Sequence, residues 1–198
     1  ISIKYSKLDN IKPSPTLFFE FHGSEESNKE AIKIVEELSK NNGGSDFKWA
    51  ESIEERNKLW KARHDVYYSV KALGQNMKVY STDICVPVSK LVECISWAEK
   101  EVKDKGLIAP MVGHVGDGNF HSIILYDPND KEKQKLIREY SDRLIDKALE
   151  LEGTITGEHG IGLQKKHYLL KEHFDNLPVM KSIKRSLDPN NIMNPGKV

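Results

Sequence analysis

The nine residues Gly113-His114-Val115-Gly116-Asp117-Gly118-Asn119-Phe120-His121 decide how this chain is read. Two strand-like runs, 107–115 and 119–126, meet at Gly116-Asp117-Gly118. Asp-Gly is a strong hairpin signal, because a type I′ turn needs positive φ at both central residues. With Asp117-Gly118 as the turn, the expected pairs are Gly116 with Asn119, Val115 with Phe120, and His114 with His121. Directly opposed residues share a face, with Cβ atoms about 5 Å apart. The hairpin thus predicts an antiparallel sheet carrying two neighbouring imidazoles. At that spacing they can converge on one metal ion, and would repel if both were protonated without one.

Working outward, Thr16-Leu17-Phe18-Phe19-Glu20-Phe21 reads as a buried strand. Ser24, an acidic first turn and the series Ala31, Ile32, Ile34, Val35, Leu38 predict a helix, stopped by Asn41-Asn42-Gly43-Gly44. Residues 46–50 read as a short strand. A helix from Ser52, with Glu55 at the capping-box position, carries Leu59, Trp60, Val66 and Tyr67 as far as Gly74. Residues 77–86 read as a strand closed by Pro87. Ser89 then opens a helix with Leu91, Val92, Ile95 and Trp97, ending at Gly106. Beyond the hairpin, helices are expected from Asp127-Pro128 to about Leu151, over 163–174, and from Pro178 to Leu187. The order is βαβαβα, a hairpin, then helices. It predicts an α+β fold, a mainly antiparallel sheet covered by helices. Residues 1–187 are expected to form one domain and 188–198 a tail.

Composition narrows the function. Among 198 residues, 30 Lys and Arg balance 30 Asp and Glu, which leaves no basic excess for a nucleic acid or an anionic membrane. The mean hydropathy is −0.56, and no apolar run approaches the ~20 residues of a membrane span. Cys85 and Cys94 are too few for a disulfide scaffold and read as small buried hydrophobes. The chain starts at Ile1 without a signal segment, and reads as a piece of a longer protein.

Seven of the thirteen glycines and three of the seven histidines fall in two windows, 113–121 and 153–162, so the chemistry is sought there. The second window is Gly153-Thr154-Ile155-Thr156-Gly157-Glu158-His159-Gly160-Ile161-Gly162. Glycines at this density permit close backbone approach at a cost in chain entropy. Glu158 can complete a two-histidine, one-carboxylate site, leaving His159 for acid–base work. Either window alone reads better as structural: a hairpin with one carbonyl-bonded and one solvated histidine, or a helix entry. The two together favour a metal site. His22, His64, His167 and His173 have no such setting and read as surface or packing residues.

These two windows, with Tyr80-Ser81-Thr82-Asp83-Ile84-Cys85-Val86-Pro87 and Asn194-Pro195-Gly196-Lys197, resemble the C-terminal part of the FAD-linked 2-hydroxy-acid dehydrogenases. The likeness runs from about Phe18 to the end. It is greatest to the mitochondrial branch that oxidises D-lactate and passes electrons to cytochrome c. The resemblance implies the cap or substrate domain of a vanillyl-alcohol-oxidase-type flavoenzyme, a mitochondrial location, and FAD bound mainly by the enzyme's own N-terminal domain. It also implies a divalent metal, zinc or manganese. By position, His114, His121 and Glu158 match the metal ligands, and His159 matches the active-site histidine. Arg63 and Lys78 match the residues that hold the substrate carboxylate. Asn194 and Lys197 lie in the segment that returns to the flavin. In the related D-2-hydroxyglutarate dehydrogenases an asparagine stands where this chain has Ile123, and a small hydroxyl residue where it has Tyr67. Both differences favour a small monocarboxylate substrate. With no flavin half in the sequence, the chain by itself is expected to be colourless and inactive. The rival reading is a stand-alone metal- or carboxylate-binding module without catalysis, and a flavin domain upstream would decide against it.

Overall fold

The computed structural model describes residues 1–8, 11–50 and 52–198. The chain divides into two compact units, Ile1–Leu73 and Gly74–Val198, a boundary that the sequence reading did not place.

The first unit is helical: α1 (Ser2–Tyr5), α2 (Glu25–Asn41), α3 (Ile53–His64) and α4 (Val66–Lys71). The caps are those the sequence predicts. Ser24 accepts from the Ser27 N–H, and Ser52 and Glu55 form a reciprocal capping box. The single helix expected over Arg63 and Tyr67 divides at Asp65. The aromatic run at 16–21 and the segment 46–50 are not strands. Rings two residues apart do sit together, Phe19 on Phe21 and Phe47 on Trp49, each with centroids 6.4 Å apart. That is the spacing of extended chain. Extended chain becomes a strand only when a neighbour takes up its N–H and C=O groups, and no neighbouring strand pairs with either segment among the described residues.

The second unit holds β1 (Lys78–Ser81), β2 (Ile84–Cys85), α5 (Val88–Asp104), β3 (Met111–His114), β4 (Asn119–Tyr126), α6 (Lys131–Glu150), α7 (Lys166–His173) and α8 (Leu177–Leu187). The element order is therefore four helices followed by a mixed unit, not the alternation expected. Every strand pairing is antiparallel, and β4 is the centre: β1 and β2 lie along one side, β3 along the other. The predicted α+β class holds. One face of β4, through Phe120 and Ile124, meets the buried stripe Leu91, Cys94 and Ala98 of α5 and Ile137, Tyr140, Leu144 and Ala148 of α6. That spacing of three and four residues is what a helix needs to present one apolar side. Val92, at 77% exposed, lies off it. Cys94 sits in this core as the small hydrophobe expected, and burial pushes its thiol up to about 11. No helix is long and apolar enough to cross a membrane among the described residues.

Candidate metal centre

The hairpin is longer than the sequence implies. Val115–Asp117 form a turn of 3₁₀-helix, and Gly118 closes it in the left-handed region at φ 76°. His114 consequently pairs with Asn119, and Val112, not His114, pairs with His121. The register is displaced by two residues, and two is the side-chain period of a strand. His114, Asn119 and His121 therefore still share one face, with the histidines diagonal instead of directly opposed.

The predicted strand at 77–86 is interrupted at Thr82-Asp83, and that break shapes the site. The Thr82 hydroxyl accepts from the Ser122 N–H at 2.8 Å, which frees the Thr82 carbonyl to accept from His121 Nδ1 at 2.8 Å. That contact fixes the ring orientation and turns Nε2 towards the second glycine window. There Nε2 faces Glu158 Oε1 at 2.8 Å.

Glu158 arrives from the second glycine window. Thr154 bridges to Cys85 on β2, and the turn that follows wraps over the Asp83 carboxylate. Asp83 is buried, and accepts from Thr156 Oγ1 at 2.8 Å, from the His159 N–H at 3.0 Å and from Asn119 Nδ2 at 3.0 Å. Burial would push this carboxyl up. The donors from His159, Thr156 and Asn119, with Lys165 nearby, outweigh burial and hold it at about 2. Gly157 is obligatory here, since a Cβ on it would overlap Asn119 Nδ2. This is the close approach that the density of glycines implied.

One carboxylate thus gathers three imidazoles. His114 Nε2 stands 3.9 Å from Glu158 Oε2, and His159 Nε2 stands 3.5 Å from Oε1. The ring of His159 stacks on His121 with centroids 5.1 Å apart. The donor atoms of His121, Glu158 and His159 lie within 4.8 Å of one another. Ligands of one ion with bonds of ~2.1 Å stand roughly 3–3.5 Å apart. Glu158 Oε1 lies 2.8 Å from His121 and 3.5 Å from His159, near that span. His114, the expected third ligand, is 3.9 Å from Glu158 Oε2 and outside this tightest group. The donor set, imidazole nitrogens beside a carboxylate, is of the kind that holds a divalent cation. A back bond to a carbonyl is also the usual support of a ligating histidine. His121 is shielded, while His114, Glu158 and His159 are about half exposed, so the site opens on one side.

The other predicted residues are distributed differently. Lys78 pairs with Tyr126, five residues along β4 from His121 and on the opposite face. The register therefore does not bring Lys78 to the histidines, because strand alternation points it towards the helix-covered side. Arg63 is half-buried on α3 of the first unit; Tyr67, on α4, meets Tyr68 edge to face with centroids 5.6 Å apart. Ile123, two residues beyond His121, is buried on the site's face. The turn from Asn194 to Lys197 is tied down by Lys166, which donates to the Gly196 carbonyl at 2.7 Å, and by Asp188, which accepts from the N–H groups of Ile192 and Met193. Sequence reading missed Thr82, Asp83 and Asn119. The available signal was an acid directly preceding the apolar run Ile84-Cys85-Val86, where an unpaired charge would not be tolerated.

The family described as FAD linked oxidases, C-terminal domain, matches residues 6–198. A probable mitochondrial D-lactate dehydrogenase of Danio rerio is 50% identical over 187 residues, covering 93% of this chain and 37% of the relative. The mitochondrial D-lactate dehydrogenase (cytochrome) of Arabidopsis thaliana is 41% identical over 198 residues, covering all of this chain and 35% of the relative. The chain thus spans about a third of the length of these relatives. Among solved structures, the 4-ethylphenol oxidase of Gulosibacter chungangensis, in complex with isoeugenol, matches 89% of this chain and 37% of its own, with a TM-score of 0.60 and 19% identity. That likeness shows a shared fold. With the family match extending over nearly its whole length, the chain belongs to the C-terminal domains of the FAD linked oxidases.

Proposed function

We propose that this chain is the substrate- and metal-binding part of a mitochondrial flavoenzyme that oxidises D-lactate, or a similar small D-2-hydroxy acid, to the 2-oxo acid. The observation that carries the reading is the Glu158 carboxylate set against His121 Nε2, with His114 and His159 beside it. When bound, a divalent ion on His114, His121 and Glu158, zinc or manganese, would supply Lewis acidity to the substrate's 2-hydroxyl, and FAD, held mainly by an N-terminal domain, would supply the two-electron acceptor. The residues of this chain do the positioning. His121 is locked in orientation by Thr82, and Glu158 by its backbone hydrogen bonds to Asp83. In this reading His159 takes the hydroxyl proton, and its exposure supports a way out for that proton. Arg63 supplies the forked cation suited to the substrate carboxylate. Ile123 gives the face of His121 an apolar neighbour, which suits a methyl group better than a second carboxylate. Asn194 and Lys197 form the part of the chain that meets the flavin. Cytochrome c is the electron acceptor in this reading, which the word cytochrome in the name of the Arabidopsis relative supports without specifying the type.

Anaerobic mixing of the full-length protein with substrate tests this reading. D-lactate should bleach the flavin, L-lactate should not, and D-2-hydroxyglutarate should do so far more slowly. The bleached enzyme should then reduce cytochrome c. Flavin that D-lactate leaves oxidised would refute the proposal.

A further inference from the structure

We propose that the buried Asp83 carboxylate is the positioning group of the metal centre: by collecting the donors of the 156–159 turn it sets the Glu158 side chain against His121. This rests on the metal reading above and deepens it.

The argument is geometric. Asp83 lies where β1 breaks off and β2 begins, and is 2% exposed. Its contacts fall in two sets. From the turn come Thr156 Oγ1 at 2.8 Å, the Glu158 N–H at 3.2 and 3.3 Å to the two oxygens, and the His159 N–H at 3.0 Å. From the body of the unit come Asn119 Nδ2 at 3.0 Å and Lys165 Nζ at 3.7 Å. Lys165 also donates to the Asp83 carbonyl at 2.6 Å and the Ile155 carbonyl at 2.8 Å, pinning both chains. The anion is thus a fastener between β4, through Asn119, and the two residues whose side chains reach the site.

Only an ionised carboxylate suits this place. It offers about four lone-pair sites, whereas an amide offers half as many and turns N–H groups towards the same donors. Nothing in the contact set suggests direct chemistry. Asp83 Oδ1 is 3.7 Å from His121 Nδ1, a nitrogen already satisfied by the Thr82 carbonyl. The two-residue interruption of the strand therefore orients both ligands: Thr82 holds His121 from behind, and Asp83 holds Glu158 by its backbone.

The test is the affinity of the full-length protein for Mn²⁺, read from the electron paramagnetic resonance signal of the free ion. Asp83→Asn should weaken binding about 10- to 100-fold, the usual effect of losing a partner behind a ligand. Tyr140→Phe removes a buried hydrogen bond to Ser122 on the opposite face of β4 and controls for lost stability. It should leave Mn²⁺ affinity unchanged. Wild-type affinity in Asp83→Asn, or equal losses in both variants, overturns the proposal. If Asp83→Asn does not fold, Thr156→Val keeps the anion and removes one donor of the turn. It should then bind several-fold more weakly, and unchanged affinity overturns the claim. A wild-type protein that binds no Mn²⁺ sinks the metal reading itself, an outcome read without any variant.

Discussion

Gly157→Ala joins packing to the site in one substitution. The new Cβ would overlap Asn119 Nδ2 and stand 2.8 Å from both Asn119 Cγ and Asp83 Oδ1. Asn119 cannot swing aside cheaply. It is 4% exposed, and its amide donates to Asp83 Oδ1 at 3.0 Å and to the Ile84 carbonyl at 2.9 Å. Forcing atoms into a filled space costs about 1–3 kcal/mol, and loosening a buried hydrogen bond to a charged group about 1.5–3 kcal/mol. Relief of one partly relieves the other, so the sum is taken as about 3 kcal/mol. For a domain of this size that lowers its melting temperature by about 6–12 °C. Since the turn must lift away from Asn119, Glu158 moves with it, and Mn²⁺ affinity should fall about tenfold. Gly116→Ala is the control: a Cβ added there has open space, with nothing within 4 Å, and the change should stay within about 0.5 kcal/mol. Calorimetry and Mn²⁺ titration on both variants decide the matter. A Gly157→Ala protein with wild-type melting temperature and wild-type affinity would refute the close-approach argument.

Other expectations follow from single groups. Tyr140 is fully buried, and burial pushes its hydroxyl from 10.0 up to about 12. A raised value means stability is intact below the unfolded pKa and lost as pH climbs towards the folded one. Between pH 9 and pH 11 the wild type should lose about 1 kcal/mol more than Tyr140→Phe in denaturant melts, and parallel curves would be the contrary result. Lys78→Gln should leave kcat and KM for D-lactate within about twofold, because Lys78 faces away from the histidines. Arg63→Gln should raise KM about 10- to 100-fold, the worth of a charged hydrogen bond, and a KM unchanged in that variant would remove Arg63 from the substrate site.

What the sequence made legible follows the range of the forces involved. Caps are local, so Ser24, and Ser52 with Glu55, could be read directly, and the helices they begin are where they were expected. The hairpin was legible as a hairpin, and its shared face survived because the register error was an even number of residues. The loop length was not legible: Asp117-Gly118 favours a two-residue turn, but Gly118 also lies so close to the Val86 carbonyl that tertiary contact helps set the loop. The run from Thr16 to Phe21 has strand composition, yet strands depend on partners that composition does not specify. His121 and Glu158 stood out by residue type. Asp83 did not, because its meaning comes from donors 36 to 82 residues away in sequence.

The claim that His114, His121 and Glu158 hold a divalent ion is tested most directly by elemental analysis of the full-length protein and its variants, beside a turnover assay with D-lactate. The account predicts stoichiometric metal in the wild type and in His22→Ala, whose histidine lies outside the cluster. Metal and most activity should be lost in His121→Ala and in Glu158→Ala. Stoichiometric metal retained in both of those variants would contradict it.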